Sequence, residues 1–185
     1  FWFDKQGQGG RLYVRLPDDM NPENVTIEAA KRINLIDAEK MEHIKISGIH
    51  FRFTNVFWDL SARHFVHADV PAGVVRLQGS GDDIMIDHCI FEHVHMPVRI
   101  KVGSDNQDIG KVVIADNIMR HTDHGAVNIS DSSVWGKKEG PVGKVENVEL
   151  IRNDLFRIGW RPIRSEHGHA VSISRPTMAH VAGNQ

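Results

Sequence analysis

Apolar and polar residues alternate at period two over short stretches of this chain, and the stretches repeat. A triplet Val-x-(Leu/Ile) occurs at Val75-Arg76-Leu77, Val98-Arg99-Ile100, Val127-Asn128-Ile129 and Val171-Ser172-Ile173, spaced by 23, 29 and 44 residues. Between these lies a second phrase, an alternating run that ends in a small or amide residue and an apolar pair. It reads Ile84 to Phe91 through Cys89, Val113 to Met119 through Asn117, and Leu150 to Phe156 through Asn153-Asp154. A looser copy is Ile44 to Phe51, and a later one begins Val181-Ala182-Gly183-Asn184. Both phrases are short, rich in Val and Ile and bounded by turn residues, so they predict β-strands.

Two strand types alternating at a quasi-regular period predict a solenoid. A helical repeat would need apolar residues at i, i+3, i+4 and i+7, and Glu28 to Arg32 and Ala38 to Met41 offer at most one turn each. Each repeat is therefore expected to be a coil of short strands, stacked on its neighbours at about 4.8 Å. The variable lengths fall in loops, the longest from Ser132 to Val145 with Gly136, Gly140, Pro141 and Gly143.

This pattern resembles the right-handed parallel β-helix of the pectate-lyase-like superfamily over roughly residues 43 to 185. Cys89 and Asn117 stand where such folds stack small or amide side chains in an internal ladder. Residues 1–42 read as an N-terminal β-hairpin and lead-in strands: Phe1-Trp2-Phe3-Asp4, a turn with Gly7, Gly9 and Gly10, then Arg11 to Pro17. This hairpin is similar to one that precedes the first coils in several β-helical carbohydrate-active enzymes. The expected fold is thus all-β, a single right-handed parallel β-helix domain with an N-terminal hairpin. A solenoid needs caps, and a chain that opens on Phe1 and closes in mid-coil at Gln185 is expected to be a piece of a longer protein whose remaining coils flank it.

Composition narrows the function. The 185 residues are 41% hydrophobic and 25% charged, ordinary for a globular domain, and the formal net charge of −2 supplies no basic field for nucleic acid. No apolar run approaches the ~18 residues of a membrane-spanning helix. The single Cys cannot form an internal disulfide, and Cys89, set in an apolar strand, reads as a small buried hydrophobe.

The chain has 12 His, and many precede the first strand type: His64, His67 and Asp69; His93 and His95; His121, Asp123 and His124; Glu166, His167 and His169. Asp123-His124-Gly125-Ala126-Val127 and Glu166-His167-Gly168-His169-Ala170-Val171 both place an acid-His-Gly step before a strand. Coils stacked in register would make these groups neighbours. Two carboxylates in different environments can have their pKa values driven apart, as acid–base catalysis requires. Asp131, which follows the strand Val127 to Ser130, is a third carboxylate. Trp160 could stack on a sugar face, and Arg161 or Arg164 could fork onto a carboxylate. Outward-pointing Arg76 and Arg99 on neighbouring coils would repel unless an anion lies between them.

The resemblance implies a secreted, periplasmic or cell-surface bacterial enzyme that cleaves a polysaccharide or oligosaccharide. A glycoside hydrolase is favoured, with Asp123, Asp131, Glu166, His124 and His167 as catalytic candidates. His121, His169, Arg161, Arg164, Trp160, Arg76 and Arg99 are the substrate-binding candidates. A polysaccharide lyase acting on an acidic glycan is the alternative, and a non-catalytic glycan-binding or stalk solenoid is a third. No cofactor is expected, with a divalent metal at a His-rich site as the open alternative. Imidazole and carboxylate are suitable zinc ligands, but no compact motif such as H-E-x-x-H is present.

Overall fold

The computed structural model describes residues 2–7, 9–55, 71–133, 141–160 and 169–185. It divides into two compact units, Phe1–Ala30 and Lys31–Gln185. In the first, β1 (Trp2–Gln6) pairs antiparallel with β2 (Gly9–Tyr13). The Trp2 and Tyr13 rings stack at 5.2 Å, and Gly7 takes the left-handed backbone (φ 61°) that glycine adopts without steric penalty.

The second unit contains only β-strands and connections among its described residues, and every strand pairing there is parallel. Its strands are β3 (Ile36–Ser47), β4 (His50–Arg52), β5 (Val75–Asp87), β6 (Ile90–Glu92), β7 (Val98–Val102), β8 (Ile109–Ala115) and β9 (Ile118–Arg120). The series continues with β10 (Val127–Ser130), β11 (Val145–Ile151), β12 (Asp154–Phe156), β13 (Val171–Ser174) and β14 (Met178–Ala182). Ala38 to Met41, at most a helical turn by sequence, lies inside β3.

The strands stack in three tiers. The front halves of β3 and β5 align with β7, β10 and β13 to form tier A. Their back halves align with β8, β11 and β14 to form tier B. Because β3 and β5 run through both tiers, A and B make one strongly curled eight-stranded sheet. The short strands β4, β6, β9 and β12 form tier C, a separate four-stranded sheet. Each rung therefore holds three strands rather than two. The third is the apolar pair that ends the second phrase, as in Ile90-Phe91 and Ile118-Met119. The Val-x-(Leu/Ile) triplets fall in register, with Val75 beside Val98, Val98 beside Val127 and Val127 beside Val171.

Alternation decides what faces inward. Val75, Leu77, Val98, Ile100 and Ile129 of tier A are fully buried, as are Ile86, Val112, Ile114, Val148 and Leu150 of tier B. Tier C adds Phe91 and Met119, and Phe51 stacks on Phe91 at 5.0 Å. Each such side chain removed from water contributes about 1.5–3 kcal/mol.

Between tiers B and C runs a ladder of side chains. Asn117 Oδ1 accepts from the Cys89 N–H (2.9 Å), and the Asn117 amide donates to the Ile86 carbonyl (2.9 Å). Asn153 repeats the pattern toward Asn117 and Ile114, and Asn184 repeats it toward Asn153 and Leu150. The preceding residue on each rung is left-handed: Gly48, His88, Asp116, Arg152 and Gly183 all have φ between 51° and 68°. The two-residue corner exposes backbone N–H and C=O groups inside the fold, and the amides satisfy them.

Candidate functional site

Two loop families carry the chemistry. Connections from tier C to tier A hold the His-rich phrases, and one from tier A to tier B, between β10 and β11, opens on Asp131.

The tier C to A turns begin with a left-handed residue on four successive rungs: Phe53, His93, His121 and Arg157, with φ between 52° and 58°. This shared backbone stacks the side chains. Phe53 and His93 lie 5.9 Å apart, and His93 and His121 lie 4.9 Å apart with only 6° between ring planes. His121 meets the edges of Phe156 (5.9 Å) and Trp160 (5.6 Å), and Arg157 caps both of those rings. Trp160 is exposed (62%). Just before this column, Glu92 bonds Arg120 (2.9 Å) and His50 (3.3 Å), with Arg52 at 3.8 Å. Burial opposes ionisation of Glu92, but the charges of Arg120 and His93 prevail and hold its carboxyl below the ordinary range. Desolvation, reinforced by the charges of His93 and Arg157, lowers the pKa of His121 and keeps its imidazole neutral near pH 7.

Further along the same turns, His124 stacks on His95 at 5.5 Å. The backbone N–H groups of Asp123 and His124 donate to the Val94 and His95 carbonyls, both at 3.0 Å, which places Asp123 and His124 one rung from their counterparts. The two acid-His-Gly steps are offset by one residue. Val127 is pinned beside Val171, so Gly125 stands opposite His169, and a Cβ at Gly125 would come 2.8 Å from the His169 carbonyl oxygen. Arg161, Arg164, Glu166 and His167 lie outside the described residues, as do His64, His67 and Asp69.

Asp131 sits at the other end of β10 from Asp123. The four-residue strand between them spans about 13 Å at 3.3 Å per residue. Asp131 is buried (5% exposed) and tied down: Arg175 on the next rung bonds its carboxylate at 3.1 Å, and the Ser133 N–H and hydroxyl donate to it. These partners make it a clasp between the rung of β10 and the rung of β13.

On the outward face of tier A, Arg76 and Arg99 are neighbours in register, as expected. The anion beside Arg76 comes from the protein. Asp37, on the preceding rung, accepts from Arg76 at 2.6 Å, while the guanidinium also donates to the Pro71 carbonyl (2.8 Å) and to Gln78. Burial works against ionisation of Asp37, but the hydrogen bonds from Arg76 and Asn34 outweigh it and lower its pKa. Arg99 reaches the Met96 sulfur at 3.9 Å. Beside this pair opens a groove of about 340 Å³ lined by Glu39, Arg76, Gln78, Gly79, Gly103 and Gln107.

Sequence reasoning located the His-rich turns and the Arg76–Arg99 adjacency. It missed Glu39, Gln78 and Gln107 of the groove, and the Glu92–Arg120 pair beneath the ring column. The column had a signal: Phe51-Arg52-Phe53, Phe91-Glu92-His93 and Met119-Arg120-His121 share an apolar residue followed two positions later by a ring. No family model, curated protein or solved structure matches the chain.

Proposed function

We propose that the chain folds as a right-handed parallel β-helix of the pectate-lyase-like kind and acts outside the cytoplasm as a glycan-cleaving enzyme. In this reading it is a glycoside hydrolase whose substrate lies along the outward face of tier A. The observation that carries the proposal is the groove beside Arg76. Its lining is polar and amide-rich, it follows the stacking direction of the rungs, and Lys101, Asn128, Ser130, Ser172 and Ser174 extend its polar character across later rungs. A sugar chain presents repeated hydroxyls, and a repeating ladder of amides, hydroxyls and guanidiniums is the matching surface.

Catalysis is assigned to the tier C to A turns at the edge of that face. Asp123 and Glu166 are the acid–base candidates in this reading, which requires their carboxyls to stand at the roughly 5–9.5 Å separations that glycoside hydrolysis uses. His121, His124, His167 and His169 orient them or bind hydroxyls, and Trp160, Arg161 and Arg164 hold the sugar. Asp131, a further carboxylate candidate, serves in this scheme by holding the end of β10 to the following rung through Arg175.

The test is a panel of neutral and acidic polysaccharides read for new reducing ends and for the ultraviolet absorbance of an unsaturated sugar. Reducing ends without absorbance, lost in Asp123→Asn, support the hydrolase. Both signals together replace it with β-elimination, the reading favoured by the adjacency of Arg76 and Arg99. Neither signal across the panel overturns the enzyme in favour of a binding solenoid.

A further inference from the structure

The stacked column holds a set of groups, two of which, Glu92 and His93, have no part in the glycan reading; the third is His121. Glu92, His93 and His121 each offer one ligand atom, and the three atoms lie within 4.8 Å of one another. The fold brings them together in two ways. Register places Glu92 beside Arg120, so the next residues, His93 and His121, are neighbours on adjacent rungs. Both then adopt the left-handed backbone, which is uncommon outside glycine, and their rings project side by side. Nδ1 of His121 is buried and has no hydrogen-bond partner among the described residues, a costly state for a polar atom that nothing engages.

We propose that Glu92, His93 and His121 bind a late first-row divalent metal ion, zinc being the best match. Two imidazoles and one carboxylate are a recognised three-ligand zinc set, with solvent taking the fourth position. Imidazole selects such ions over calcium or magnesium. Ligands at about 2.0–2.1 Å from a tetrahedral ion stand roughly 3.3 Å apart, so the observed atoms must draw inward. His93, which is exposed, has room to rotate. The carboxylate keeps lone pairs beyond those that Arg120 and His50 take up. The guanidiniums of Arg52 and Arg120 oppose a cation, so the site is exchangeable, and its effect is to tie two rungs together. The proposal shares His121 with the glycan reading but does not rest on it, since Glu92 and His93 are outside that site and metal binding is read without a glycan.

The experiment is calorimetric titration of the whole chain with zinc chloride, repeated with cobalt(II) to record the visible bands of a tetrahedral ion. The expected result is one saturable equivalent, insensitive to excess magnesium, and an unfolding midpoint that rises with zinc. His93→Ala, His121→Ala and Glu92→Gln should each weaken binding by at least the roughly 10–100-fold that losing even an outer-shell partner costs. His180→Ala, an exposed imidazole on β14, should leave binding unchanged. His93 is at the surface, so its replacement is read in a folded protein, checked by circular dichroism. The absence of a saturable equivalent, or wild-type affinity and midpoint shift in His93→Ala, would overturn the proposal.

Discussion

Asn117 and Asn153 occupy the same corner on consecutive rungs, and Asn153 Oδ1 accepts from both the backbone N–H (3.1 Å) and the side-chain amide (2.9 Å) of Asn117. One side chain thus closes two donors of the rung before it, while its own amide reaches the Ile114 carbonyl. Stacking of this unit is a polar device inside an apolar stack of parallel strands.

Replacing Asn117 by Ala should therefore strand the Cys89 N–H and the Ile86 carbonyl, while Asn153 Oδ1 keeps its bond from the backbone N–H of residue 117. Each buried group left unpaired costs about 1–3 kcal/mol. The expected loss is at least about 2 kcal/mol in urea-induced unfolding, and a loss below half of that would show the ladder to be dispensable.

Gly79 marks the bend where β5 passes from tier A to tier B. A Cβ there would stand 1.8 Å from the Glu39 carbonyl oxygen, backbone that cannot step aside. Gly79→Ala should destabilise the protein by about 1–3 kcal/mol or more, as overpacking does. Gly9→Ala, whose new atom meets nothing nearer than 3.9 Å, should stay within about 0.5 kcal/mol. Equal midpoints for the two variants would refute the close approach.

The Asp116 carboxylate accepts both Arg152 bonds, at 2.7 and 2.6 Å, and these lower its pKa. A depressed folded pKa means stability that is present above the unfolded value of about 3.9 and lost as pH falls through the folded one. Thermal midpoints measured from neutral pH down to acid should drop, and Asp116→Asn should flatten the lowest part of that drop. An unchanged slope in the variant would remove Asp116 from the account.

For His121 the sign is worked the same way. Its folded pKa is lowered by desolvation, so the neutral form is favoured. Stability present above the unfolded value of about 6.5 is lost as pH falls through the folded value. The His121 ring resonances in a proton NMR titration should shift at lower pH than a free histidine. A midpoint at or above about 6.5 would contradict the half-buried, cation-flanked setting.

Asp123 and Asp131 should separate cleanly. Asp131→Asn weakens the bond to Arg175 between rungs, so its main effect should be a lower unfolding midpoint. Asp123→Asn should lower turnover on the susceptible glycan by the ~10²–10⁴ of a lost acid–base group while leaving the midpoint alone. The reverse pattern would move the catalytic assignment to the far end of β10.

Much of the fold was legible along the chain. Period-two alternation in Val75-Arg76-Leu77 and its copies marks strands because one face is buried, and repetition marks stacking because each copy needs a neighbour to cover its backbone. The ladder position of Cys89 and Asn117 was an expectation from the family resemblance, and the bonds of Asn117 to Cys89 and Ile86 match it. Tier C was not, since a three-residue strand leaves too short a pattern to separate from the phrase before it. The local periodicity also determined that Arg76 would face its equivalent Arg99. Only the tertiary structure decided that Asp37 would neutralise Arg76, that Gly125 would meet His169, and that His93 would lie flat on His121. Those outcomes depend on register across loops of unequal length. Alternation records which side of a strand a residue takes, whereas the rung it meets is set by how far the intervening loop carries the chain.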